Sequence, residues 1–224
     1  MGELEERKAQ SREFSLARAV IYRLFSRCFS YPDRELLDLF GSARAGEYLD
    51  SWRCLGFNAS EGIAEVTGWL KEFPTHQAAL DELEKEYTRL FVNAYPHVLA
   101  PPYSSVYLDK HGKVWGQSTA QAARLYEAAG LSIAQDFYDI PDHIAAELEF
   151  VSYLIVEQQK GRGDDSIPVQ QLASIEQNFL TDHLFRWAPA FFNRVIESSS
   201  LTPYRVMACL GRQFVEEETK HLSR

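Results

Sequence analysis

His143 and Glu147 stand four residues apart, the spacing that puts two side chains on one face of a helix, and both residue types ligate metal ions. A helical metal-dependent hydrolase using this pair is the strongest enzyme reading in the chain. It stops at two ligands, because His76, His97, His111, His183 and His221 show no comparable spacing. Asp142 and His143 also fit plain capping of a helix start, where an acidic side chain meets exposed amides. The sequence holds no nucleophile-elbow, phosphate-loop, dinucleotide, zincin or EF-hand pattern. No catalytic residue, metal or cofactor is therefore expected, with the His143/Glu147 hydrolase as the alternative.

Three stretches combine aromatic, apolar and acidic residues in a way that suits binding better than catalysis. Glu86–Val92 ends an amphipathic helix with Tyr87, Leu90 and Phe91. Ala100–Leu108 runs Pro101-Pro102-Tyr103-Ser104-Ser105-Val106-Tyr107-Leu108, and Ile140–Ile144 carries Pro141-Asp142-His143, with Glu147 a turn further on. Each has a bland explanation alone: a Tyr/Leu/Phe stripe is usually core, and a Pro-Pro-Tyr loop can be rigid packing. Together they supply an apolar groove and carboxyl acceptors for a cation.

The elements that must position them are helical. Phe14, Ala17, Ile21, Leu24, Phe25 and Cys28 mark one buried stripe, and Tyr31-Pro32-Asp33 breaks it before a short helix through Leu36, Leu37 and Phe40. Gly41–Phe57 lacks a clear period and is expected as loop with at most a helical turn. Ser60 caps a helix that Pro74 stops, and Thr75 caps the next, with Leu80, Leu83, Tyr87, Leu90 and Phe91 as its stripe. Residues 93–117 form a long loop with three prolines, and loops of that length are often functional. Ser118 caps a helix to Ala129, with Gly130 as its C′ residue. A helix opened by Pro141-Asp142 buries Ile144, Leu148, Val151 and Ile155 and ends at Gly161-Arg162-Gly163; a polar linker then leads to three C-terminal helices. Only Ser105–Leu108 hints at a strand. The expected fold is all-α, a single compact multi-helix domain over 1–224 with eight to ten helices and residues 1–12 as a flexible lead.

Composition is that of a globular protein, 46% hydrophobic and 25% charged. A net charge of −9 argues against nucleic acid; it suits cationic partners such as arginine-rich peptides, and equally an acidity that serves solubility alone. Cys28, Cys54 and Cys209 form no CxxC pair; Cys28 and Cys209 are expected in the core. Neither a signal peptide nor an apolar run long enough to span a membrane is visible, which points to the cytoplasm.

Taken in order, the motifs resemble the TorD/DmsD/NarJ family of chaperones for molybdopterin oxidoreductases. The resemblance rests on Tyr87, Leu90 and Phe91; on Pro101, Pro102, Tyr103, Ser105, Tyr107 and Leu108; on Gly116, Ser118 and Thr119; on Pro141, Asp142 and His143; and on His183, Leu184 and Trp187. It runs from about Tyr22 to Trp187. Asn93 departs from the Gly-Pro frequent in the family, and Ile140 stands where some members have an acid. The form of the segment after the tyrosine-rich loop places the chain nearer the TorD/DmsD side than the nitrate-reductase branch. The resemblance implies a multi-helix chaperone that binds the N-terminal, twin-arginine leader of an oxidoreductase catalytic subunit, or an equivalent segment, until the molybdenum cofactor is loaded. It implies partner-binding roles for Tyr87, Leu90, Phe91, Tyr103, Ser105, Tyr107, Asp142, His143 and Glu147: the aromatic and aliphatic side chains bury the apolar part of the leader, Asp142 and Glu147 accept hydrogen bonds from a guanidinium, and His143 orients the acid. Monomer and dimer are both compatible with the sequence.

Overall fold

Helix α1 (Gly2–Cys28) realises the first stripe: Ala17, Ile21, Leu24, Phe25 and Cys28 are buried along it. The computed structural model describes residues 2–110, 112, 114–131, 140–160 and 167–222. Residues 2–12, expected as a flexible lead, form the first turns of α1, exposed from Leu4 onward. The expected stop at Gly161-Arg162-Gly163 lies outside the described residues.

Helices α2 (Arg34–Leu39), α3 (Ser42–Cys54), α4 (Ser60–Leu70) and α5 (His76–Tyr87) follow. Helix α3 replaces the loop expected over Gly41–Phe57. Its periodicity is weak because one residue anchors it: Trp52 is fully buried, edge-on to Phe25 and Phe214 at 5.8 Å each. Capping is partly as expected. Thr75 accepts the Ala78 amide at 3.2 Å, whereas the N-caps of α4 and of α7 (Gln117–Ala128) are Ala59 and Gly116 rather than Ser60 and Ser118. Gly130 follows α7 with φ +76, the left-handed geometry that favours glycine at C′.

A π-helical turn, Thr88–Val92, continues α5, and a second, Leu180–Leu184, joins α9 (Val169–Phe179) to α10 (Phe185–Ser198). Between them lie α6 (Ser104–Leu108) and α8 (Ile144–Lys160); α11 (Thr202–Leu222) closes the fold. The strand hinted at over Ser105–Leu108 is therefore helix α6, and the long loop is shorter than expected. The described residues hold eleven α-helices and two π turns, more than the eight to ten expected because α6 and α3 carried no clear period.

Helix α8 packs along α1 and α9, and α10 along α11, which also receives α4. Where they meet, Phe25, Phe29, Trp52, Phe191, Phe192 and Phe214 are fully buried, with ring centroids 5.4–6.3 Å apart across the pairs that join Phe29 and Phe25 to α10 and α11. Each such burial is worth about 1.5–3 kcal/mol. A polar clamp ties three helices together: Arg18 on α1 meets Glu218 on α11 at 2.8 and 2.9 Å and Glu176 on α9 at 2.9 Å. Cys28 is buried, Cys209 half-buried and Cys54 exposed, so only the first of the two expected core thiols is fully in the core. Among the described residues no helix is long and apolar enough to cross a membrane.

Candidate functional site

The aromatic loop and the Asp-His turn come together through backbone pairing. The Ser104 amide donates to the Asp142 carbonyl at 3.0 Å and the Ile144 amide to the Pro102 carbonyl at 2.8 Å, so Tyr103 and His143 face each other as one isolated antiparallel bridge. That pattern is the narrow, non-hydrogen-bonded pair of an antiparallel ladder, which brings the two side chains close. Their rings meet edge-on at 5.3 Å. His143 also caps α8: its Nδ1 accepts the Ala145 amide at 3.1 Å.

Asp142 anchors the short helix above it. Its Oδ2 accepts the Ser105 amide at 2.9 Å and lies 3.4 Å from the Ser104 hydroxyl, and Asp142, Ser104 and Ser105 are all fully buried. We call Tyr103–Leu108 the strap. At its far end Asp109 accepts the Ser118 hydroxyl at 2.8 Å and the Ser118 amide at 3.3 Å, while Thr119 Oγ1 accepts the Gly116 amide at 3.2 Å. The Gly-x-Ser-Thr signature is thus a tie between strap and α7. From α7, Tyr126 donates its hydroxyl to the Pro141 carbonyl at 2.7 Å, steadying the same turn.

Under the strap lies a buried platform. Glu147 Oε1 meets His183 Nε2 at 2.6 Å, and Glu147 Oε2 accepts the Trp187 indole N–H at 2.9 Å. All three side chains are fully buried. Burial raises the Glu147 carboxyl above its ordinary value, with His183 and Trp187 pulling it back. Burial also lowers His183, but the Glu147 carboxylate more than offsets that and leaves the imidazole raised. The Tyr107 ring rests on Trp187 at 5.3 Å, and the exposed Arg194 guanidinium sits over Tyr107 at 4.9 Å.

The structure redistributes the roles expected from sequence. Tyr87, Leu90 and Phe91 are 6%, 0% and 3% exposed and belong to the core rather than to an open groove. Phe91 packs on Phe29 and Tyr204, because the π turn at Thr88–Val92 points it inward. Tyr103 and Tyr107 are half-buried and present part of each ring to the surface; Ser105 is buried beneath them. Asp142 and Glu147 are also buried, so neither carboxyl meets a guanidinium at the surface of this conformation. The acid expected to be oriented by His143 is held instead by Ser104 and Ser105.

Two of these observations bear on the hydrolase alternative. Glu147 has both oxygens engaged by His183 and Trp187, and no group of three His, Cys, Asp or Glu suited to a metal forms among the described residues. His183, Trp187, Asp109 and Ser104 are the residues whose roles sequence reasoning missed. The signal was present for two of them: His183 and Trp187 are four apart, on one helical face, within a quoted motif.

Comparison with known proteins agrees with this architecture. The sequence model described as nitrate reductase delta subunit matches residues 58–193, which include the strap, the turn and the platform. The chain is 28% identical over 152 residues to the chaperone protein TorD of Vibrio cholerae serotype O1, covering 68% of this chain and 67% of that one. It is 25% identical over 211 residues to TorD of Aliivibrio salmonicida, covering 94% and 96%, and 24% identical to TorD of Vibrio atlanticus, covering 95% and 98%. Among solved structures it is similar to an Archaeoglobus fulgidus protein assigned to redox enzyme maturation, with a TM-score of 0.55 at 28% identity over 89% of this chain and 93% of that one. The chain belongs to the nitrate reductase delta subunit family, the TorD/NarJ family, and is not an enzyme.

Proposed function

We propose that this chain, a maturation chaperone for a molybdoenzyme, binds the N-terminal segment of a molybdopterin oxidoreductase catalytic subunit at the face formed by the strap. The segment is a leader, twin-arginine in type, or its equivalent, and the chaperone holds it in the cytoplasm while the cofactor is inserted and before export. The observation that carries this reading is the set of exposed apolar side chains in the segments that flank the strap in the chain. Val92, Tyr95, Val114 and Trp115 are exposed, Tyr95 by 99% and Trp115 by 74%, and all lie in the segment that leads into and out of it. Exposed aromatic residues concentrated on one segment mark interaction surfaces. With Tyr103, Val106 and Tyr107 half-exposed between them, they offer an apolar bed for a leader, and the net charge of −9 favours its arginines.

Co-expression with the catalytic subunit tests this. The complex is expected with the full subunit and lost when its N-terminal segment is deleted. A complex that survives the deletion unchanged would place recognition elsewhere on the client.

A further inference from the structure

The carboxyl groups best suited to a cationic partner are the ones that the strap hides. Asp142 and Glu147 are both fully buried. Glu147 has a partner on each oxygen, but Asp142 does not: its Oδ2 takes the Ser105 amide and faces the Ser104 hydroxyl, while its Oδ1 has no hydrogen-bond partner. Ser105 Oγ, two residues from the strap's start, and His183 Nδ1, on the platform, are likewise buried without one. Buried polar atoms are rarely left so, because each forfeits its hydration without compensation. Three of them lie on the strap, the turn and the platform.

The strap also carries the shortest of the helices around Asp142. Helix α6 has five residues and is entered and left through extended backbone, at Tyr103 (φ −124, ψ 128) and Asp109 (φ −90, ψ 146). Val106, Tyr107 and Leu108 are only half-buried, whereas α8 and α10 bury whole faces. Its ties to the Asp142 turn are the Ser104 and Ser105 amides and the Pro102 carbonyl. Short elements with little buried apolar surface open at lower free energy than the core around them. Once the Ser105 amide leaves, both Asp142 oxygens are free to accept, and a guanidinium supplies two parallel donors to such a carboxylate; an ammonium supplies a point charge.

We propose that Tyr103–Leu108 lifts to admit an arginine side chain onto Asp142, and that the closed arrangement is the resting form of the site. This rests on the reading of the chain as a leader-binding chaperone. Hydrogen exchange by NMR on the unmodified chain tests it, with a peptide carrying two adjacent arginines in an apolar context and the same peptide with both replaced by citrulline. With the arginine peptide bound, the amides of Ser104, Ser105 and Ile144 should exchange about tenfold faster or more, while those of Leu148, Val151 and Phe191 keep their protection. The citrulline peptide should leave all six unchanged. Binding of the arginine peptide with unchanged or slowed exchange at Ser104 and Ser105 overturns the lifting strap and leaves the chaperone reading standing. Failure of the arginine peptide to bind at all, measured by calorimetry, removes that reading and the strap with it.

Discussion

Glu147 on α8 and His183 on the π turn Leu180–Leu184 form a fully buried pair at 2.6 Å. Both groups hold protons more tightly in the folded chain than their ordinary values of 4.5 and 6.5 imply. A raised folded value means that the contribution to stability is complete below the unfolded value and is lost as pH rises through the folded one. For His183 that window opens above 6.5, so the melting temperature should fall as pH is raised from about neutrality into the alkaline range. Glu147→Gln should flatten this part of the profile. His183→Ala, which leaves the carboxyl buried without its partner, should cost about 3–5 kcal/mol in denaturant unfolding. A wild-type profile as flat as that of Glu147→Gln would show that the pair does not hold its proton.

Tyr103 divides its ring between surface and the edge of His143. As an anchor for the client segment, Tyr103→Ala should lower peptide affinity by about 1–3 kcal/mol in calorimetry, with the helical spectrum and melting temperature nearly unchanged. A Tyr103→Ala chain that unfolds instead assigns the ring to the core.

Gly116 accommodates the Asp109 carboxyl by having no side chain. A Cβ there would stand 1.7 Å from Asp109 Oδ2. Its φ of −98 is ordinary, so any cost of Gly116→Ala comes from the collision and from the Ser118 bonds that Asp109 then loses. We expect a loss of about 1–3 kcal/mol. Asp109→Ala should lose the Ser118 bonds too, and the double variant should be no worse than Asp109→Ala alone. Additive losses in that cycle would mean that the two residues act independently.

Among the described residues Arg18 is the one cation shared by Glu176 and Glu218 in the clamp of α1, α9 and α11. Arg18→Met should destabilise the chain by about 3–5 kcal/mol, since two buried carboxylates lose their partner. Urea unfolding measures it, and a loss below about 1 kcal/mol would rule out uncompensated buried charge as the consequence of removing Arg18.

Much of this was legible in the chain itself. Helices α1, α5, α8 and α11 follow from apolar residues at helical spacing, since a long amphipathic stripe has to be buried somewhere. Thr75, Pro74 and Gly130 mark boundaries by purely local chemistry. The motifs named Tyr103, Asp142 and His143 together, and the bridge between Tyr103 and His143 brings their two segments side by side. Where a helix is held by one large residue, as α3 is by Trp52, or lasts five residues, as α6 does, period carries too little signal.

Depth was decided only by the tertiary structure. As a stripe Tyr87, Leu90 and Phe91 read as core, the family resemblance implied a groove, and the π turn at Thr88–Val92, which no local pattern announces, leaves Leu90 and Phe91 buried. Asp142 and Glu147 read as acceptors for an arginine, yet the first caps the strap and the second is paired to His183 and Trp187 from another helix. The sequence determines which side chains a helix presents along each face. Whether a face meets solvent or another helix depends on residues far away in the chain, such as the partners that α10 brings to α8, and that decides whether a carboxyl waits at the surface or is closed beneath a strap.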